Sequence, residues 1–179
     1  MQFTVDFETD HLDRALSALR KAVSSPDEMM SSIGESLQPI NEDRHARGVS
    51  PDGEEWKELS EMTKKEKQGG RLLYQYGDMT RSFHYQAKGS ELTLGFSDHK
   101  SVWHHFGTGS HGRRGQSYTI TPKKAKALSF AGIMRKRVTH PGIPARPLIG
   151  FPETDRNLVV DVVEDHLMDI LKRVRQGNK

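Results

Sequence analysis

The 179-residue chain contains no cysteine, and no run of about 18 consecutive apolar residues occurs in it. The absence of cysteine excludes disulfides and cysteine-ligated metal sites and is typical of a reducing cytoplasm. The absence of a long apolar run excludes a membrane-spanning helix. The N-terminal residues also lack the basic and apolar regions of a signal peptide. We therefore expect a protein that is made in the cytoplasm and does not contact a membrane.

Apolar residues are scarce as well. They make up 34% of the chain, charged residues make up 28%, and the mean hydropathy is −0.73. This composition predicts one domain over residues 1–179 with a modest core, and much of the chain at a surface or a subunit contact. The net charge of +3 is lower than that of a dedicated nucleic-acid binder.

Motifs of the common enzyme classes are also missing. Gly107-Thr108-Gly109-Ser110 does not match the GxSxG pattern of a serine hydrolase, and no GxxxxGK[ST] phosphate-binding loop occurs. The carboxylate pairs are too numerous and too solvent-like to single out a glycosidase pair. We therefore expect no enzyme, no catalytic residue and no cofactor.

Nine histidines raise the alternative of a metal site. His104 and His105 are adjacent, and His99 and His104 are five residues apart, which does not match the i, i+4 ligands of HExxH. We therefore expect no metal. The simpler interpretation is that His104 and His105 flank Trp103 and Phe106 at a packed corner.

Hydrophobic periodicity and capping residues predict an alternation of helices and short strands. Three longer helices are predicted. The first follows a cap at Thr9 or Asp10, the second follows the capping box Ser25–Glu28, and the third follows a cap at Thr154. Pro39 is expected to kink the second helix near its end. Shorter helical turns are predicted at Met79–Ser82 and after Ser97 or Asp98. Strands are predicted over 1–8, Phe83–Ala87, Leu92–Phe96, Tyr118–Thr121, Ala127–Phe130 and Ile133–Thr139. The strands Phe83–Ala87 and Leu92–Phe96 are expected to form a hairpin with its turn at Lys88-Gly89-Ser90.

Three loops stand out between these elements. Ser50-Pro51-Asp52-Gly53 is a type I turn sequence, and Trp56 is expected to anchor the loop over 47–55. Residues 60–70 are predicted to be a solvated helical turn or a mobile loop. Residues 107–116 contain four glycines and two arginines, so we expect this loop to be flexible in an isolated subunit.

Three prolines within seven positions mark the segment His140–Phe151, which we call the strap. Each proline fixes its own φ and pushes the preceding residue toward extended geometry, so the strap is predicted to be a rigid, extended crossing. It is mostly apolar and contains one arginine, Arg146. A stiff apolar segment with a single arginine suits docking against another surface.

Basic stretches follow one another from residue 113 to residue 137. They are Arg113-Arg114, Lys123-Lys124-Lys126 and Arg135-Lys136-Arg137, and aromatic residues lie near the first. Such a mixture could contact a phosphate backbone without reading bases. The alternative is a solvated face that keeps a polar protein soluble.

Four landmarks occur in a fixed order along the chain. They are Gly48–Gly53 with Trp56 and Leu59 behind it, Leu72–Phe83, Trp103–Gly107, and Ile143–Phe151. This arrangement resembles the phage virion morphogenesis family, the tail-completion proteins of Mu-like and related tailed phages. The resemblance covers roughly residues 10–175, and the chain has Tyr76-Gly77 where members usually have Thr-Gly.

The resemblance implies a non-enzymatic virion protein with an α+β fold, in which N-terminal helices and a long C-terminal helix pack a small twisted antiparallel sheet. It implies a homo-oligomeric ring, expected to be hexameric, at the neck or tail end of the virion. The implied partners are head connector or neck proteins and tail terminator or tail tube proteins, with non-specific contact to DNA in the channel as a further expectation. Such a protein is made in the host cytoplasm and completes the tail for stable head–tail joining.

Two segments are the candidate functional sites. The candidate subunit or partner interface is the strap, through Ile143, Pro144, Arg146, Pro147, Leu148 and Phe151. The candidate DNA-channel or assembly loop comprises His111, Arg113, Arg114, Lys123 and Lys124. Two alternatives stay open here. Arg146 could instead form an intrachain salt bridge that fixes the C-terminal helix, and the protein could instead be a small basic DNA-binding accessory protein.

Overall fold

The computed structural model describes residues 9–67, 72–74, 77–130 and 132–176, and its fold is α+β. The predicted strand over 1–8 and the departure from the family at Tyr76 lie outside the described residues. The helices of the described part are α1 (Asp10–Ser24), α2 (Asp27–Arg47), α3 (Glu61–Lys67), α4 (Asp78–Arg81), α5 (Lys100–Phe106) and α6 (Glu153–Gln176), with one 3-10 turn at Gly109–His111. The strands are β1 (Phe83–Lys88), β2 (Glu91–Phe96), β3 (Tyr118–Ile120), β4 (Leu128–Phe130), β5 (Ile133–Arg135) and β6 (Val138–His140).

Most predicted elements are confirmed within a residue or two, because their end signals are local. The polar stretch after residue 60 is a helical turn over Glu61–Lys67, and residues 68–70 lie outside the described part. Pro39 was expected near the end of the second helix, but it lies inside α2, which continues to Arg47. The prediction for this helix was therefore wrong about where it ends.

The strands form three two-stranded sheets, where one small sheet was expected. β1 pairs with β2 as a hairpin, β3 pairs antiparallel with β6, and β4 pairs antiparallel with β5. The single strand predicted over Ile133–Thr139 is therefore two strands, since its two halves pair with different partners. The break falls at Lys136 and Arg137.

The chain divides into two compact units. Unit 1 comprises residues 1–37, 85–93 and 153–179, so it contains α1, the start of α2, the far end of the β1–β2 hairpin, and α6. Here α1 packs against α6, and Ile33 and Leu37 are buried. Gly34 leaves room for the ring of Tyr85, which lies where a Cβ would be. The carboxylate of Asp27 accepts a hydrogen bond of 2.9 Å from the Gly89 amide in the hairpin turn.

Unit 2 comprises residues 38–84 and 94–152 and contains the better packed core. Trp56, Met79 and Leu148 are buried together, and Leu72, Leu73, Phe96 and Ile149 pack around them. The loop before Trp56 is the predicted turn: the Gly53 amide donates to the Ser50 carbonyl at 2.9 Å, and the Glu54 amide donates to Ser50 Oγ at 3.1 Å. Trp56 thus anchors this loop as expected.

Candidate functional site

After His140, the last residue of β6, the strap has no regular secondary structure, and Arg146 fastens it to two other parts of unit 2. Arg146 is only 3% exposed. Its Nε donates to the Lys57 carbonyl at 2.8 Å, its Nη2 donates to the Glu58 carbonyl at 3.1 Å, and its backbone amide donates to the His104 carbonyl at 2.7 Å. Among the described residues its side chain therefore binds backbone carbonyls and forms no ion pair.

The two residues after Arg146 are held as firmly. The indole Nε1 of Trp56 donates to the Pro147 carbonyl at 2.9 Å, and the Leu148 amide donates to His105 Nδ1 at 3.1 Å. Leu148 is itself buried against Trp56 and Met79. Three successive residues of the strap are therefore fixed by hydrogen bonds and by burial in the core of unit 2.

Helix α5 turns its histidines toward the strap and its apolar residues toward solvent. Burial, and then the positive charge of Arg146, lower the pKa of His104, and burial lowers the pKa of His105. Val102, Trp103 and Phe106 are 53%, 48% and 66% exposed. The predicted corner, with histidines flanking packed aromatics, is thus reversed: the His105 side chain accepts a hydrogen bond from the strap, and the His104 side chain is partly buried beside Arg146.

The structure divides the predicted strap interface into buried and accessible residues. Arg146 and Leu148 are buried within unit 2, so a partner cannot reach them without unfolding it. Ile143 and Pro144 are half-buried, whereas Pro147 and Phe151 are exposed. The interface prediction therefore stays a prediction for the accessible residues, with Phe151, 51% exposed, as its most prominent side chain.

The first half of the glycine-rich loop is tied to the strap. The Thr108 amide donates to the Ile143 carbonyl, and the Ile143 amide donates to Thr108 Oγ1, both at 2.9 Å. The Ser110 amide also donates to the Pro141 carbonyl at 2.6 Å. The flexibility of residues 107–116 stays a prediction. Because these hydrogen bonds hold the first half of the loop, we expect the flexibility in its second half.

Comparison with known proteins decides the assignment. The family model described as phage virion morphogenesis family matches residues 7–168. The chain belongs to the phage virion morphogenesis family. No curated protein and no solved structure matches it. The family assigned from the four sequence landmarks is confirmed, and this virion morphogenesis protein has a role in the assembly of phage particles.

None of the helices in the described part of this virion morphogenesis protein has both the length and the apolar content that a membrane crossing requires. The same residues contain no group of three or more histidine, aspartate and glutamate side chains arranged to hold a metal ion.

The candidate channel residues of the virion morphogenesis protein are all exposed: His111, Arg113, Arg114, Lys123 and Lys124. Arg113 and Arg114 line one open groove of about 490 Å³, whose wall includes Tyr118. Lys123 and Lys124 lie outside that groove, between β3 and β4. The structure therefore groups the two arginines and places the two lysines on a different element.

The charged residues of this virion morphogenesis protein are distributed unevenly along the chain. Residues 99–152 contain ten lysines and arginines and no aspartate or glutamate, whereas the rest of the chain has 24 acidic and 17 basic residues. Counting charge in a window of about 50 residues would have found it. Short basic stretches do not reveal this asymmetry, since it consists in an absence of acidic residues over a long segment.

Proposed function

We propose that this virion morphogenesis protein is a non-enzymatic ring subunit of the phage neck or tail terminus. It completes the tail end and presents a surface on which the head is stably joined. Its partners are further copies of itself, in a ring expected to be hexameric, together with head connector or neck proteins and tail terminator or tail tube proteins.

The observation that carries the proposal is the number of large apolar side chains that stay exposed. Among the described residues, six apolar side chains are buried and fifteen large apolar ones are exposed. Exposed apolar patches of monomers are commonly interaction sites, and a partner that covers them stabilises the folded state by mass action. A subunit that is completed by its neighbours in a particle has this character.

The exposed face of α5 is the sharpest of these surfaces. Val102, Trp103 and Phe106 lie on one side of a helix, and the edge of the His99 ring packs on Trp103 with ring centroids 5.0 Å apart. Large aromatic side chains of this kind dominate the binding energy of protein interfaces. We therefore place a contact with a neighbouring virion protein here.

The test is head–tail joining in extracts from an infection in which this gene is inactivated. Added wild-type protein should restore joined particles. The Phe106→Lys variant should restore about tenfold fewer, because a charge in the contact should weaken the binding free energy by about 1.4 kcal/mol or more. Met62→Lys is the matched control, since Met62 is also exposed, at 43%, but lies on α3. Normal joining without the protein, or mature tails that lack it, would refute the proposal.

The acid-free segment 99–152 favours a second candidate, a small basic DNA-binding accessory protein. Light scattering after size-exclusion chromatography, at two salt concentrations with and without duplex DNA, separates the two. A ring-sized species without DNA supports the ring subunit, whereas a monomer whose DNA affinity falls steeply with salt supports the accessory protein.

A further inference from the structure

Residues 118–130 and 132–140 of unit 2 form two consecutive ladders, which we call the arm. In the first ladder β3 pairs with β6, and Ile120 lies opposite Val138. In the second ladder β4 pairs with β5, and Leu128 lies opposite Arg135. No residue of the ranges 102–129 and 132–141 is buried. Isolated two-stranded ribbons are only marginally stable in water, so an arm of this kind calls for a partner that covers it.

Six cations lie at the middle of the arm, where one ladder ends and the next begins. Lys123, Lys124 and Lys126 lie in the chain between β3 and β4, and the pairing places Arg135, Lys136 and Arg137 on the opposite side. No ion pair joins any of these six to another described residue. The arm thus presents concentrated positive charge that its own unit leaves uncompensated.

Apolar side chains accompany this charge. Tyr118, Ile120 and Ile133 are 41%, 37% and 37% exposed, and Met134 is 69% exposed. Phosphate groups would match only the charge of the arm, whereas a protein surface with both carboxylates and apolar groups matches its charge and its apolar side chains. The chemistry of the arm therefore favours an acidic, partly apolar protein partner over DNA.

Helix α6 in unit 1 has such a surface. Val160, Glu164 and Met168 follow one another at intervals of four residues, with Asp161 and Asp165 beside them, and all five are exposed. This set, the α6 ridge, spans about 12 Å along the helix. Its three carboxylates form no ion pair with another described residue.

We propose that the arm of one copy of this protein docks on the α6 ridge of a second copy. Arm and ridge are different patches, so the contact is head-to-tail and can close into a ring. This inference rests on the proposed ring and names the surfaces that join its subunits. The charge of the chain supports it, because acidic residues outnumber basic ones outside residues 99–152.

The absence of cysteine from the natural chain allows a direct test. The double variant Lys136→Cys/Asp165→Cys, oxidised in purified particles, should give a ladder of cross-linked multimers on a non-reducing gel. Either single variant should give dimers at most. Lys136→Cys/Glu54→Cys is the matched control, since Glu54 is an exposed carboxylate on another loop, and it should give no ladder.

Charge reversal tests the same contact in solution. Lys136→Glu/Arg137→Glu and Asp161→Lys/Asp165→Lys should each weaken self-association at least tenfold, and an equimolar mixture of the two variants should restore it, since each reversed patch then meets its complement. Arg113→Glu/Arg114→Glu is the control for the arm and should associate like the wild type. Unchanged circular dichroism would show that all variants fold.

The remaining outcomes separate the two proposals. Suppose that the wild type forms rings in tails. If the control cysteine pair then cross-links as well as the arm–ridge pair, or if mixing the two charge-reversed variants does not restore self-association, this inference is overturned and the ring subunit stands. If wild-type assemblies fall apart on nuclease treatment, nucleic acid covers the arm, which also overturns it. If particles contain no multimer of the chain, the ring itself is refuted.

Discussion

At the scale of single residues, Arg146 is the buried arginine of the described chain. A buried guanidinium is costly unless its donors are satisfied, and here two carbonyl oxygens and the partly buried wall of α5 surround it. Burial lowers the pKa of Arg146, but an arginine stays charged at any physiological pH. Its planar fork, which reaches two successive carbonyls, is what fastens the strap.

Replacing this fork should destabilise unit 2. Arg146→Ala leaves the carbonyls of Lys57 and Glu58 without their donors, so the free energy of unfolding should fall by about 2–4 kcal/mol. Arg146→Lys should recover part of the loss, because an ammonium cannot reproduce the fork. Urea unfolding measures both, and Arg47→Ala, at an exposed ion pair with Asp43, should stay within about 0.5 kcal/mol of the wild type. Equal losses for Arg146 and Arg47 would contradict this account of the strap.

The two histidines of α5 predict a loss of stability in mild acid. Burial lowers the pKa of His104 and of His105 in the folded state, so the unfolded chain binds protons more readily. Stability is therefore complete above the unfolded pKa of about 6.5 and falls as the pH drops below it. Urea unfolding at pH 7.5 and pH 5.5 should show this fall, and His105→Gln should reduce it.

The control for this pH dependence is His111→Gln, which alters an exposed histidine of the neighbouring loop. It should leave the difference between the two pH values unchanged. A pH dependence that persists in full in His104→Gln/His105→Gln would place its source elsewhere in the chain.

At the scale of elements, local signals predicted what local contacts determine. The predicted helix start at Thr9 or Asp10, where Thr9 is the N-cap residue of α1, the capping box at Ser25–Glu28 and the glycine turn at Gly89 mark elements that the structure contains. The direction in which α5 faces was not predictable in this way. Both of its sides contain residues that pack well, and the choice is made by Leu148 and Arg146, which are more than 40 residues away in sequence. The burial of Arg146 was missed for the same reason, since its acceptors are backbone carbonyls that leave no mark in the sequence.

The junction of loop and strap depends on one glycine. Gly142 has a φ of +109°, and a Cβ there would overlap the Thr108 carbonyl. Gly142→Ala should therefore lower the free energy of unfolding by more than about 1 kcal/mol, through both backbone strain and the clash. Gly95→Ala is the matched control, because Gly95 lacks a positive φ and no atom lies within 4 Å of its Cβ position. Thermal unfolding of both variants checks this, and similar melting temperatures would mean that the loop yields without cost.

At the scale of the whole molecule, charge and apolar surface are distributed unevenly along the chain. The acid-free segment 99–152 lies in unit 2, whereas the α6 ridge lies in unit 1. Opposite charges on two separate surfaces favour head-to-tail association of identical copies. Salt weakens such an association because it screens charges over a Debye length, which is about 8 Å at physiological ionic strength. Self-association that strengthens as salt is lowered is the behaviour expected of this protein.

The exposed arm also predicts where a protease attacks. Trypsin cleaves after lysine and arginine in accessible backbone, and Lys123–Arg137 offers six such residues, five of them in the segments between the strands. The isolated subunit should therefore be cut first within this range, and the same bonds should be protected in purified particles, because a covered arm cannot enter the protease. Mass spectrometry of the first fragments identifies the cleaved bonds. The variant Lys136→Glu/Arg137→Glu should self-associate more weakly, so it should stay sensitive at Lys123–Lys126 under conditions in which the wild type assembles. Equal cleavage of the arm in free subunits and in particles would show that it stays uncovered in the virion, and the subunit contact would then have to lie elsewhere.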